Sequence, residues 1–522
     1  MSVSLNPTDL KFGTADGKLW TRRLYGQEAQ AAYFVDHGEG FTMYAGTLTA
    51  RFTPPRSRTE LELPIQKAWI KARHLSPSVA CRQTKHDGHY WFEYQVPTAA
   101  EARTWAEETI FWHEEPKTLL QTDLMLEDKW WKCSDGLYIV QLHFVPSAET
   151  PGDWHIAYLA PHNSIDGRSL MKLLEHILTW TLEELKTPSA GTPELEWGCE
   201  PIRLAPTLIL AARLPLDQTP EPKAAPAPPP GFIPFLPAVV DADNTSAGEA
   251  NNVNALLSLT PEETARYRQV CRARGVTVTD LMLALLALAE IESTLQVALK
   301  SDNGELTAKN IGAYEQASHF LFGFYFINHR HKLPGDYVTL EDGALLFGCE
   351  GTSLLFDMAT MRKAIQFDKE TGKIQRTTTD EVLWDGIIKM SNSVAKSTPS
   401  DWTAVFQREV DRQFALDEGL HDDTAFHMRV PMMSSIGDYH TMDILDPFVP
   451  ETGALAKELA VLGQYHTIRV THPLIVPICW QYAGRINFSW SSGRKWLSQE
   501  NMDLYAGIFK EWLDVCIGEL QV

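Results

Sequence analysis

A chain of 522 residues with 44% apolar and 22% charged residues is long enough for two or more folded domains, which excludes a disordered or fibrous class. Its formal net charge of −21 excludes nucleic acid and anionic membrane as natural partners. The seven cysteines are scattered and form no C-x-x-C pair, which points to reduced thiols, a cytoplasmic setting and no bound metal.

The elements follow in chain order. Residues 79–96 read as a hairpin turning at Asp87-Gly88. Thr98 and Glu101 form a capping box that opens a helix running to about Phe111. The apolar run from Leu137 to Val145 predicts one strand, and Trp154 to Leu159 a second, short and apolar. From Ser169, residues Leu170, Leu173, Leu174, Ile177, Leu178, Leu182 and Leu185 repeat at i, i+3, i+4, i+7, the spacing of one helix face. That helix is expected to stop near Lys186, before Pro188.

Residues 215–250 shift to proline and small polar residues and read as an extended, unpacked linker. They divide the chain into an N-terminal domain, 1–214, and a C-terminal domain, 251–522. The second half opens on Thr260-Pro-Glu-Glu263, a capping box with proline at the first helical position, and that helix ends at Gly275. A buried helix follows from Thr279 to about Glu292. Its apolar core, Leu281 to Ala289, is the longest apolar run and too short to span a bilayer. The N-terminal residues show no basic, apolar leader, so a cytoplasmic protein is expected. Leu474 to Tyr482 and Arg485 to Ser491 read as strands, and a last helix runs from Ser498 to about Ile517. Strands and helices mix in both halves, which predicts α/β-type sandwich domains.

The segment from Ala160 to Arg168 contains His162, Asp166 and Gly167 in the pattern H-x-x-x-D-G, between a strand and a helix. Only His162 of the 17 histidines has Asp four residues on. About one such spacing is expected by chance, so the flanking elements and the glycine carry the signal. Asp166 falls at the helix N-cap, where free N–H groups and the dipole favour a carboxylate. The alternative is a His and Asp that only shape a strand-to-helix turn.

With other segments the motif resembles the condensation-domain and plant alcohol acyltransferase (BAHD) superfamily, whose founding folds include chloramphenicol acetyltransferase. The resemblance rests on His162–Gly167, Leu257–Thr264 running into Cys271–Ala284, Phe326–Arg330, Ser434–Gly437 and Tyr482–Asn487. It is nearest to fungal secondary-metabolite O-acetyltransferases of the trichothecene 15-O-acetyltransferase group. It implies two chloramphenicol-acetyltransferase-like sandwich domains, each a mixed sheet flanked by helices, with a channel between them. It implies acetyl-CoA or another acyl-CoA as co-substrate, with no bound cofactor, a small-molecule alcohol as acceptor, and a monomer. The chain departs from the plant pattern by lacking D-F-G-W-G, and from peptide condensation domains by having Pro161 where a first histidine usually stands.

On this reading His162 is the general base that takes the alcohol proton as the oxygen attacks a thioester. No covalent acyl-enzyme is needed. The resemblance implies that Asp166 points away from the channel and pairs with Arg330; a relay role for Asp166 is the alternative. Ser434, Ser435 and the backbone near Gly437 are candidate oxyanion donors, or else a serine-rich turn. Tyr482, Asn487 and Trp490 are candidate channel residues, or else hairpin residues packing the core. His329 and His331 could form a metal pair, but a solvated strand end is the simpler reading. His421, Asp422 and Asp423 read as an acidic surface loop. A carrier-protein-dependent condensation or release enzyme, and a channel reused for cyclisation or binding, are the competing functions.

Overall fold

The computed structural model describes residues 8–189, 195–223, 230–237, 251–334, 347–420, 429 and 431–518. Two mixed sheets flanked by helices organise the chain. The first runs Leu459–Ile468, Met43–Phe52, Asp153–Pro161, Gln141–Pro146, Ile110–Trp112. The second runs Asn252–Ser258, Arg485–Gly493, Ile475–Tyr482, Met432–Asp438, His319–Asn328, Cys349–Asp357. A five-stranded antiparallel sheet, which includes the hairpin Arg82–His86 and His89–Gln95, covers the N-terminal half. That hairpin turns at Asp87 and Gly88, both at positive φ, as a two-residue hairpin turn requires.

Chain halves and sheets do not coincide. The strand Leu459–Ile468 leaves the C-terminal half and pairs antiparallel with Met43–Phe52, from Leu459 opposite Phe52 to Ile468 opposite Tyr44. It completes the N-terminal sheet before the chain returns to its own sheet at Ile475. The strand Asp153–Pro161 is buried along its whole length beneath the helix Gly167–Lys186 and its neighbours, which explains its apolar sequence.

Several expected elements are placed differently. Leu137 to Val145 is two strands: Asp135–Tyr138 joins the covering sheet and Gln141–Pro146 the main sheet. The helix opened by Thr98 ends at Thr109, and Ile110–Trp112 is already a strand. The apolar helix of the second half is Val278–Lys300, long and apolar enough to cross a membrane, yet 89% of its most apolar window is buried inside the protein. It is a core helix, packed against Gln499–Gly518. The proline-rich linker is partly packed. Phe235 is buried and its N–H donates to the His319 carbonyl, and the Lys223 N–H donates to Asp411. Residues 238–250 of that linker lie outside the described residues.

A buried carboxyl ties the halves together. Glu127 ends a helix of the N-terminal half and accepts hydrogen bonds from Thr467 on the crossing strand and from Asn254 Nδ2 at 2.8 Å. Asn252, also buried, clamps the end of that strand through Ile468 and Val470. Burial pushes the Glu127 carboxyl up to about 7, against the downward pull of its hydrogen bonds. Folded Glu127 therefore holds its proton up to about pH 7, whereas an unfolded glutamate releases it near the ordinary value of about 4.3. The contribution is complete below the unfolded value and is lost as the pH rises through about 7. Urea denaturation across pH 4.5–7.5 is expected to show unfolding free energy falling over this window, with the slope reduced in Glu127→Gln. An unchanged slope in the variant would show that Glu127 does not titrate with folding.

Candidate active site

Three strand ends converge at the motif. Met43 pairs with Pro161 at the end of the central strand, and Ile468 ends the crossing strand beside Tyr44. Beyond them the His162 N–H donates to the Thr42 carbonyl at 3.1 Å, and the Thr42 N–H donates to the Arg469 carbonyl at 3.1 Å. The helix then starts at Gly167, with Asp166 as N-cap accepting the Ser169 N–H at 3.2 Å.

His162 is half-buried, and its Nδ1 lies 2.9 Å from the Ile165 carbonyl. A carbonyl only accepts, so Nδ1 carries the proton and Nε2 is the unprotonated nitrogen of the neutral ring. Nε2 makes no hydrogen bond to a described residue. The ring stacks on Tyr44 at 4.8 Å and meets Phe347 edge-on at 5.5 Å. Burial lowers its pKa below the usual histidine value, and the Asp166 charge and the Ile165 hydrogen bond only partly restore it.

Asp166 points to Arg330, at 2.6 Å, and its Oδ2 also accepts the Gly348 N–H at 3.2 Å. Burial pushes this carboxyl up, but the Arg330 charge and the hydrogen bonds outweigh burial and hold it below the usual range. The guanidinium also donates to Ser169 Oγ at 2.8 Å. Gly167 is a close-approach position: a Cβ there would stand 2.5 Å from the Tyr44 hydroxyl and 2.8 Å from Ile436 Cδ1.

A cavity of about 80 Å³ lies against His162, between the two sheets. Ser434, Ser435 and Ile436 line it from the strand Met432–Asp438. That strand bulges between Ser435 and Gly437, with Gly437 at φ +107°, and Ile436 is the extra residue facing Gly167. Gly437 itself is not in the lining. Cys349 is in the lining, and burial holds its thiol neutral, so it is no activated nucleophile.

The C-terminal hairpin candidates do not reach this cavity. Trp490 is core, stacked on Phe488, because its side of the strand faces the helix Gln499–Gly518. Tyr482 donates to the Val461 carbonyl at 2.9 Å, and Asn487 accepts from Ser258 at 2.6 Å. Both line a separate cleft of about 1140 Å³. That cleft is no basic rim: Arg268 and Arg485 face Asp438, Asp443, Asp446 and Glu451 across it. Sequence reading missed Thr42, Tyr44 and Ile468, which line the cavity, because only strand register brings them to His162.

It missed His466 for the same reason. This buried ring lies between two phenols, with Nδ1 2.5 Å from the Tyr44 hydroxyl and Nε2 2.5 Å from that of Tyr439. Burial and the nearby His162 push it down to about 3, so it stays neutral.

The histidine pair of residues 329 and 331 is not a solvated strand end. His329 is fully buried, 3.5 Å from Glu350 within an Arg408 and Arg412 cluster, and only His331 is exposed. His421, Asp422 and Asp423 lie outside the described residues. Among the described residues His74, Cys199 and Glu200 are close enough to share a metal ion, but both Glu200 oxygens already accept hydrogen bonds, from Tyr94 and Gly198.

The Asp166–Arg330 pair is buried, so removing one partner strands a charge. Asp166→Ala is expected to lower unfolding free energy by about 3–5 kcal/mol in urea denaturation. The double variant with Arg330→Met should recover part of that loss, because no isolated charge remains. Equal losses in the single and double variants would contradict this.

No protein-family model matches the chain. No curated protein sequence matches it. Its fold is similar to that of the TRI3 trichothecene 15-O-acetyltransferase from Fusarium sporotrichioides, at 13% identity and TM-score 0.72, over 98% of each chain. It is also similar to the epimerization domain from the third module of tyrocidine synthetase B, at 12% identity and TM-score 0.54, over 97% of this chain and 98% of that one. The first condensation domain of the calcium-dependent antibiotic synthetase matches at 10% identity and TM-score 0.54, over 96% of this chain and 97% of that one. The architecture is the two-domain, chloramphenicol-acetyltransferase-like one that these proteins share.

Proposed function

We propose that this chain is an acyl-CoA-dependent O-acyltransferase, in its simplest form an O-acetyltransferase acting on a hydroxyl of a fungal terpenoid or polyketide. The observation that carries the reading is His162 with Nδ1–H held by the Ile165 carbonyl and Nε2 left as a base beside the cavity. The fold shared with a trichothecene O-acetyltransferase supports the choice of acceptor class. One chain supplies both walls of the cavity, which supports a monomer.

The chemistry follows from the ring's protonation state. His162 Nε2 accepts the alcohol proton while the alcohol oxygen attacks the thioester carbonyl. The tetrahedral oxyanion forms against the cavity wall that Ser434 and Ser435 line, and these serines are the candidate donors. As the intermediate collapses, the C–S bond breaks and the imidazolium returns its proton to the thiolate. Ester and free thiol are the products, and no side chain is acylated. Asp166 holds the loop and helix start rather than the imidazole.

His162→Ala is expected to lower kcat/KM by about 10²–10⁴ in an assay of acetyl-CoA with candidate alcohols, with unfolding midpoints unchanged. Undiminished transfer by the variant removes the mechanism. No coenzyme A release with any acceptor moves the donor to a carrier-protein thioester. The pH profile is a separate test. A base whose pKa is lowered stays competent below the usual histidine value, so the acid limb of kcat/KM should have its midpoint below 6.5. A midpoint above 7 would assign the limb to another group.

A further inference from the structure

The cavity beside His162 contains two polar groups that the proposed acyl transfer does not use. The first is Arg168, which follows Gly167 in the lining and is half-buried. Among the described residues it has no ion-pair or hydrogen-bond partner, although its neighbour Arg330 is matched by Asp166 and Ser169. It stands in the first turn of the helix Gly167–Lys186, where the helix dipole favours an anion and disfavours a cation. Burial, then the charge of Arg330, lowers its pKa, and the Asp166 charge only partly offsets them.

The second is Thr42. It is 6% exposed and lines the same cavity, but its Oγ1 is closed off from the open space and has no partner. Buried hydroxyls are ordinarily satisfied. Its backbone is also in the left-handed region, at φ +72°, a conformation β-branched residues rarely adopt. Its hydrogen bonds to His162 and Arg469 hold it there. Much of the remaining wall is apolar, including Phe326, Met432, Ile468 and Ile478. A cation with no bonded partner and a largely apolar lining thus share about 80 Å³.

We propose that this cavity binds a carboxylate-bearing ligand, with the Arg168 guanidinium on its charge and its apolar part against Phe326, Met432, Ile468 and Ile478. A planar fork of N–H donors suits a carboxylate, and the small volume suits one attached to a short chain. The proposal rests on the acyl-transfer reading for its place beside the reacting atoms. The carboxylate has two possible sources: the acyl group of a dicarboxylic acyl thioester, or a hydroxy-acid acceptor.

Calorimetric titration of the intact chain separates them without requiring turnover. Succinyl-CoA against butyryl-CoA probes the donor, and 3-hydroxybutyrate against its amide probes the acceptor. In one of the two comparisons the charged ligand should bind about 10- to 100-fold tighter than its neutral counterpart. Arg168→Gln should bring that preference to within about threefold, and Arg168→Lys should retain part of it. No binding, no charge preference in either comparison, or a preference that survives Arg168→Gln overturns the proposal. A charge preference without coenzyme A release from any pair would instead overturn acyl transfer and leave the carboxylate site standing.

Discussion

The pairing of Leu459–Ile468 with Met43–Phe52 is the constraint on which the site depends. Without it the N-terminal sheet would end at Met43–Phe52, with an open edge beside the loop that carries His162. With it, the strand sets Ile468 into the cavity wall and places His466 between Tyr44 and Tyr439. His466 is neutral, so only one of its nitrogens donates. The Tyr439 hydroxyl lies 3.3 Å from Gln464 Oε1, where it can donate, which leaves it accepting from His466 Nε2–H. Tyr44 then donates to Nδ1. This directional chain, supplied by the C-terminal half, fixes the phenol on which His162 stacks.

The division of labour between His162 and Asp166 is decided by which groups touch. In a serine-protease triad a carboxylate holds the imidazole N–H and stabilises the imidazolium. Here a neutral main-chain carbonyl holds it, and the nearby carboxylate is committed to Arg330 and two backbone N–H groups. The imidazolium therefore gains little from Asp166 beyond a through-space term, and burial prevails. A desolvated ring with a lowered pKa is a weak base that stays unprotonated near neutral pH, which is what the proposed acyl transfer asks of it. The cavity wall completes the arrangement, because the bulge before Gly437 brings Ile436 against Gly167.

What the sequence made legible was local. The turn at Asp87-Gly88, the capping boxes at Thr98 and Thr260, the left-handed Gly275 and the amphipathic helix after Asp166 are each written within a few residues. What stayed hidden was set by pairing across long separations. The run from Leu137 to Val145 is largely apolar although only Gln141–Pro146 is mostly buried and Leu137 lies at the surface, and nothing in it marks the change of sheet. The strand Leu459–Ile468 has no local sign that its partner lies some four hundred residues earlier. Thr42 and Tyr44 reach His162 through register alone. The terminal hairpin was found, but which way its side chains face depends on what covers each side of the sheet. That decides why Trp490 is core while Tyr482 and Asn487 face another cleft.

Two local rules fail at one residue beside His162. A β-branched residue at positive φ costs about 1–3 kcal/mol, and an unsatisfied buried hydroxyl about 1–3 kcal/mol more. Both fall on Thr42, and the unmatched guanidinium of Arg168 lies in the same wall. These terms are a large share of the net stability of roughly 5–15 kcal/mol typical of a domain. They persist because the surroundings leave no alternative. Thr42 is bonded through its carbonyl to His162 and through its N–H to Arg469, at the point where three strand ends meet. Relaxing Thr42 would break the bond that seats His162, so strain and the placement of the imidazole are coupled through one peptide. A site built this way resists drift of the imidazole because its neighbours cannot settle into easier conformations without releasing it.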